Sequence, residues 1–160
     1  MRALLDANVL VSARIKATGE SGKILNQAVA RYDLLLPDFL LDKVDEVLRR
    51  SRIQKKYPHI TEQAIREYLT TLRELGEPVI EQTTLESTPD TSEDSEDLLV
   101  LAAAVDGNAE YLVTYNTSHF PETYQHTETH QNITILLPKS FSQMLVPQPA
   151  SDQGDDTSSP

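Results

Sequence analysis

The chain has 160 residues, carries a formal net charge of −11 and contains no cysteine. This length suits one domain with a real core. The lack of cysteine excludes disulfides and thiolate metal sites. No apolar run reaches the roughly 20 residues that a membrane span needs, and no signal peptide is recognisable, so we expect a cytoplasmic protein without membrane contact. Residues 1–73 hold 13 Lys or Arg against 9 Asp or Glu, whereas residues 74–160 hold 1 against 16. A folded chain could therefore set a basic surface beside an acidic pocket.

Strand and helix patterns alternate along the first half of the chain. Short apolar runs bounded by turn residues predict strands, and apolar residues at helical spacing predict helices. The first strand ends in a carboxylate, Asp6, and the last helix of this half is capped by Thr61 and stops at Gly76. The predicted elements are strands over 3–6, 33–36 and 78–80, and helices over 9–13, 22–30, 39–50 and 62–75.

The stretch 93–116 has the strongest pattern, and we expect the fold to be organised around it. Residues 98–105 include no polar side chain, so this helix should be buried on most of its circumference. Residues 111–114 form a short apolar run that suits a strand covered on both faces. Helix capping and the helix dipole explain one or two acids in a first turn. Four acids in five positions repel one another and exceed that need: Glu93, Asp94, Glu96 and Asp97.

The remaining segments complete the domain. Residues 81–92 form a polar linker, residues 133–137 a further apolar strand and residues 139–146 a last short helix. Residues 147–160 contain no large apolar side chain that could offset the entropy of ordering them. We therefore expect a domain over 1–146 followed by a disordered acidic tail over 147–160.

The alternation of strands and helices predicts a three-layer α/β domain with a mainly parallel sheet. In such sheets, sites form beyond the carboxyl ends of the strands. Asp6 and Asn116 follow strands, and Asp94 and Asp97 begin the helix that leads into one. Two carboxylates about 4 Å apart repel by about 4 kcal/mol at an effective dielectric of about 20. Mg²⁺ or Mn²⁺ would relieve that repulsion through oxygen ligands, and such a cation can polarise a phosphate and activate water.

Four segments resemble, in order and spacing, the motifs of PIN-domain proteins, in particular the VapC-like toxins of bacterial toxin–antitoxin systems. The segments are LLDANVLVSA at 4–13, DFLLDKVDEVLRR at 38–50, DSEDLLVLAAA at 94–104 and LVTYNTSHFP at 112–121. The resemblance covers about residues 1–146. It implies a ribonuclease dependent on Mg²⁺ or Mn²⁺, a parallel sheet flanked by helices, an antitoxin protein as partner, and frequent homodimers.

The resemblance also implies roles for single residues. Asp6 matches the first acid of the family and Asp97 its aspartate at a helix start, while Asp94 matches an additional acid often found nearby. Asn116 stands where the family has a fourth acid, and its carbonyl can act as a ligand. The implied metal ligands are therefore Asp6, Asp94, Asp97 and Asn116.

The third helix departs from the family pattern. Lys43 occupies the position of the second family acid, usually a glutamate. Glu46, three residues further on, faces the same way and could substitute for it, which would make the catalytic set Asp6, Asp97 and Glu46. Asp42 points about 100° around the helix from that position. Lys43 could instead form a salt bridge with Asp97 and replace the metal with its ammonium group.

Other functions remain open at this point. A PIN-like module without catalysis would bind RNA or a protein partner, and Lys43 and Asn116 favour this alternative. The basic run 49–56 with Tyr57 could track an RNA backbone, or it could be a solvated helix end. A zinc site would use His119, His126 and His130, but the irregular spacing of these histidines disfavours it. A nucleophilic aspartate at Asp6 is disfavoured because a second aspartate would be expected at Asn8.

Overall fold

The protein is built around a six-stranded sheet, seen in a computed structural model that describes residues 1–87 and 94–146. The strands are β1 (Arg2–Leu5), β2 (Asp33–Leu36), β3 (Gly76–Pro78), β4 (Tyr111–Val113), β5 (Thr123–Gln125) and β6 (Asn132–Leu136). The helices are α1 (Ala7–Ile15), α2 (Glu20–Leu25), α3 (Asp38–Leu48), α4 (Ser51–Lys56), α5 (Glu62–Leu75), α6 (Ser95–Asp106) and α7 (Pro138–Leu145), with a 3₁₀ turn over Thr117–His119.

The strand order is β3-β2-β1-β4-β6-β5, and all neighbours pair in parallel except β5, which runs antiparallel to β6. The prediction of an α/β fold with a mainly parallel sheet is therefore confirmed. Strand β1 lies between β2 and β4 and is almost fully buried. Leu5 is in register with Val113, and the Asp6 amide donates to the Val113 carbonyl at 2.9 Å. This pairing brings the carboxyl ends of β1 and β4 together.

Helix α6 is buried along most of the predicted apolar run 98–105, but Leu99 is 49% exposed. Residues 100–105 are all buried, because the run of Val, Leu and Ala offers no polar face to solvent. Gly107 caps the carboxyl end, and Asn108 follows with φ of 52°, a left-handed conformation that asparagine tolerates better than most residues. In the described part of the chain, no helix has both the length and the apolar character needed to cross a membrane.

Several predicted boundaries are wrong. Helix α2 covers Glu20–Leu25 rather than 22–30, because Val29 takes φ of 73° and Ala28 forms a bridge with Tyr32. The predicted helix over 39–50 ends at Leu48, and the basic run forms a separate short helix, α4.

The sheet edges also differ from the prediction. The third strand is Gly76–Pro78, and a Cβ atom at Gly76 would lie 2.6 Å from the Leu36 Cβ. Only glycine therefore fits against β2 at this position. Strand β5 falls between residues 117 and 132, where the sequence predicts no strand. The tail over 147–160 and the part of the linker over 88–92 lie outside the described residues.

Candidate active site

Asp6 is buried at the carboxyl end of β1, where it is 8% exposed. Its Oδ1 accepts a hydrogen bond from the Ala7 amide at 2.7 Å, and its Oδ2 accepts one from the Thr114 hydroxyl at 2.8 Å. Burial raises the pKa of Asp6, and the negative charges of Asp97 and Glu96 raise it further, against the opposing effect of the two hydrogen bonds. Asp6 is thus a carboxylate whose charge is disfavoured in the absence of a nearby cation.

Thr114 connects the residues that follow β4 to those that follow β1. It is fully buried, and while its hydroxyl donates to Asp6 it accepts from Asn8 Nδ2 at 3.3 Å and from the Asn116 amide at 3.1 Å. The Asn8 side-chain oxygen in turn accepts from the Tyr115 amide at 3.3 Å. Sequence reasoning missed Thr114. The available signal was a threonine directly after a short apolar strand.

Asp97 lies in the first turn of α6 and is also 8% exposed. Its Oδ2 is 3.1 Å from Nδ1 of His119, which the 3₁₀ turn after β4 carries into place. Asp6, Asp97 and Asn116 all line one cavity of about 720 Å³. With Glu46, which also lines this cavity, the structure brings together four of the five residues that the sequence predicts for the site.

Asp94 has a different position. It is the N-cap residue of α6, and its Oδ1 accepts from the Glu96 amide at 2.8 Å. It is not among the described residues that line the cavity. In this arrangement, Asp94 stabilises the helix start that carries Asp97.

Helix α3 supplies three further charged wall residues of the cavity, Asp42, Lys43 and Glu46. The Lys43 ammonium is 3.1 Å from Oε1 of Glu96 and 3.8 Å from Oε2 of Glu46. Glu46 also pairs with Arg50 at 3.3 Å and is 61% exposed. The salt bridge that the sequence predicts between Lys43 and Asp97 is replaced by one with Glu96, next to Asp97 in sequence.

The cavity continues as a groove with apolar and basic walls. Phe39, Val47 and Leu99 supply apolar surface along it. Arg50 and Arg52 also line it, as does Tyr57 beyond the end of α4. The basic run of the sequence therefore shares a groove with the buried acids, although the sequence separates them by more than 40 positions.

The donor set of the cavity fits one hard cation. Asp6 and Asp97 offer carboxylate oxygens and Asn116 an amide oxygen, and Mg²⁺ commonly binds one or two protein carboxylates while it retains water. Within residues 1–87 and 94–146, no group of three or more His, Asp or Glu side chains is close enough to hold a metal by itself. His126 is buried and bonds to the Thr129 hydroxyl at 3.0 Å, whereas His119 contacts Asp97.

Comparison with known proteins places this geometry in a family. The PIN domain matches residues 2–118, a span that includes Asp6, Asp97 and Asn116. Among solved structures, the chain is similar to the crystal structure of VapBC2 from Rickettsia felis bound to a DNA fragment from their promoter. The TM-score is 0.51 at 16% sequence identity, and the alignment covers 73% of this chain and 89% of that chain. No curated protein matches the chain. Because the PIN domain match covers well over half of the sequence, the chain belongs to the PIN-domain family.

Proposed function

We propose that this protein is a metal-dependent ribonuclease and the toxin component of a toxin–antitoxin pair. The observation that carries the proposal is the pair of buried acids, Asp6 and Asp97, which line one cavity at the carboxyl ends of the central strands. Membership of the PIN-domain family supports a nuclease, and the similar Rickettsia felis structure is a VapBC2 complex, which supports an antitoxin partner. We expect the protein to act in the cytoplasm, because its proposed substrate is cellular RNA.

Asp6, Asp97 and Asn116 would hold the cation, Mg²⁺ or Mn²⁺. When bound, a divalent cation supplies the charge that polarises a phosphate and activates water. It would also offset the mutual repulsion that contributes to the raised pKa of Asp6. The oxygens of an Asp and an Asn match the ligands that these two cations prefer.

The remaining residues of the site would position those ligands. The Thr114 hydroxyl and the Ala7 amide fix both oxygens of Asp6, and His119 orients Asp97. Asp94 would support the site indirectly by capping α6. Glu46 would act from the rim of the cavity, where its ion pair helps to hold Lys43.

Cleavage of a labelled single-stranded RNA tests the proposal. We expect the full chain to cut this RNA with Mg²⁺ or Mn²⁺ and to stop when EDTA is added. Asp97→Asn keeps the size of the side chain and removes its charge, so it should abolish cleavage. Asp33→Asn is the matched control, because Asp33 is an exposed aspartate at the start of β2, paired with Arg2. Cleavage by Asp97→Asn without added metal would show that this site is not responsible.

One observation favours a second function. Lys43 places an ammonium group in the cavity, and Asn116 brings no charge to it. A protein whose buried carboxylates at this site are Asp6 and Asp97 could bind RNA or a protein partner without cutting. Tight RNA binding by the wild type, with no cleavage in either metal, would support this binding module over the ribonuclease.

A further inference from the structure

Lys43 is held inside the groove by carboxylates that are themselves more exposed. Its side chain is 29% exposed, against 67% for Glu96 and 61% for Glu46. Ion pairs with carboxylates exposed to this degree contribute little to stability, because water screens them. The contacts that hold the Lys43 ammonium are therefore easily exchanged for another anion. A lysine ammonium is a compact charge with three donors, which suits a phosphate oxygen.

Lys43 is also the first of a line of cations along the groove. Lys43, Glu46 and Arg50 follow the spacing i, i+3 and i+7, which places them on one face of α3 and its carboxyl-terminal turn. Glu46 lies between the two cations and pairs with both, at 3.8 Å and 3.3 Å. Arg52 continues the line at the start of α4. One wall of the groove thus carries three positive side chains.

A polyanion faces an electrostatic obstacle at this site. To reach Asp6 and Asp97 its phosphate must enter a cavity that also contains Glu96, and the acids would repel it. Cations along the approach offset that repulsion and raise the local concentration of the polyanion. Among these cations, Lys43 contacts Glu96, which is next to Asp97 in sequence. Lys43 is therefore the cation best placed to bind a phosphate that reaches Asp6 and Asp97.

We propose that Lys43 is a catalytic residue that binds the scissile phosphate of single-stranded RNA, while Arg50 binds a neighbouring phosphate. Glu96 and Glu46 hold the Lys43 ammonium in the groove until a phosphate oxygen replaces them. This inference rests on the proposed ribonuclease function and assigns a substrate contact to a position where the family resemblance implies an acid. Lys43 is then part of the working site and not a defect in it.

Binding measurements test the phosphate contact apart from cleavage. The full chain is titrated into a fluorescently labelled single-stranded RNA in EDTA over a series of salt concentrations. Lys43→Met should weaken binding about tenfold, as expected for a lost charge-assisted hydrogen bond. It should also lower the slope of log K against log salt by about 0.7, the value for one phosphate contact on a single strand. Lys43→Arg should restore both quantities. Lys23→Met is the matched control, because Lys23 forms a similar i,i+3 pair with Glu20, outside the groove.

Single-turnover cleavage at saturating RNA tests the catalytic part. With Mg²⁺ or Mn²⁺, Lys43→Met should cut more than tenfold more slowly than Lys23→Met, and Lys43→Arg should recover most of the rate. The inference is overturned if Lys43→Met and Lys23→Met have the same RNA affinity, the same salt slope and the same cleavage rate. If such a result accompanies cleavage by the wild type, the ribonuclease proposal stands and only Lys43 is wrongly assigned. If the wild type never cuts but Lys43→Met loses affinity and slope, the phosphate contact stands and the nuclease fails. A wild type that binds no RNA overturns both.

Discussion

At the scale of single residues, Thr114 is as important to the site as the carboxylates are. Its hydroxyl donates a hydrogen bond to Oδ2 of Asp6 and accepts one from the Asn116 amide. A buried polar atom without a partner costs more free energy than its hydrogen bond contributes. Removal of this one hydroxyl would therefore disturb a first predicted ligand, Asp6, and the backbone that carries a second, Asn116.

Thr114→Val removes the hydroxyl and keeps the shape of the side chain. We expect the free energy of unfolding to fall by about 1–3 kcal/mol, because buried polar groups lose their partner. The pKa of Asp6 should rise further, since the Thr114 hydrogen bond lowers it in the wild type. Urea unfolding of the variant beside Thr114→Ser, which retains a hydroxyl, measures the effect. Equal unfolding free energies for the two variants would contradict this account.

At the level of single residues, the sequence predicted that Asp6 and Asp97 belong to the site but not which side chains contact the acids there. Asp6 and Asp97 stand at a strand end and a helix start, positions that local pattern reveals. The contact of Thr114 with Asp6 joins positions 108 residues apart, and the contact of Lys43 with Glu96 joins positions 53 apart. Such contacts depend on the register between strands and on the packing of helices, which no local pattern specifies. The metal-binding and catalytic roles of Asp6, Asp94, Asp97, Asn116 and Glu46 remain predictions.

At the scale of elements, both ends of α6 carry acids with structural work. Asp94 caps the first turn, and Asp106 binds the segment that follows β3. The Asp106 carboxylate accepts from the Gln82 amide at 2.8 Å, from the Thr83 amide at 3.0 Å and from the Thr83 hydroxyl at 2.5 Å. Burial alone would raise the pKa of Asp106, but these hydrogen bonds together lower it.

Asp106→Asn should therefore destabilise the fold in a pH-dependent way. A carboxyl group with a lowered pKa in the folded state contributes stability above its unfolded pKa, and this contribution disappears as the pH falls through the folded pKa. We expect a loss of about 0.5–1 kcal/mol at about pH 7, after allowance for solvent screening. The difference between wild type and variant should shrink as the pH falls below about 3.9, the unperturbed pKa of aspartate, towards the lowered pKa of the folded state. Urea unfolding of both proteins over a series of pH values measures it, and a difference that stays constant with pH would contradict the assignment.

Element-level prediction succeeded where the pattern was long and failed where it was short. Helix α5 and its Thr61 cap were predicted, with the Ala64 amide donating to the Thr61 hydroxyl at 3.1 Å. Strand β5 was missed because its three residues include only one apolar side chain, Tyr124, and its pairing with β6 is antiparallel at an edge. Helix α2 was predicted too long because no local sequence pattern indicates the positive φ of Val29.

At the scale of the whole molecule, the proposed cation should act on folding as well as on catalysis. A ligand that binds only the folded state stabilises it by mass action, by about 2.7 kcal/mol at a concentration about 100 times its dissociation constant. Mg²⁺ or Mn²⁺ should therefore raise the melting temperature of the wild type. The gain should disappear in Asp97→Asn and persist in the Asp33→Asn control, as thermal melts with and without EDTA would show. Identical melting temperatures of the wild type with and without cation would contradict the proposed ligand set.

The central place of β1 in the sheet has a consequence for the timing of synthesis. Asp6 follows β1, which is synthesised before the other strands of this sheet, yet its partner Thr114 comes 108 positions later. Until β4 emerges, β1 lacks one of the two strands between which it lies in the sheet. The contact between Asp97 and His119 likewise waits for the turn after β4. Because domains generally fold as units once their chain is available, the site assembles only after Thr114 and His119 have been synthesised. A nascent chain cut short before Thr114 would carry the first acid of the site without the hydroxyl that binds its Oδ2.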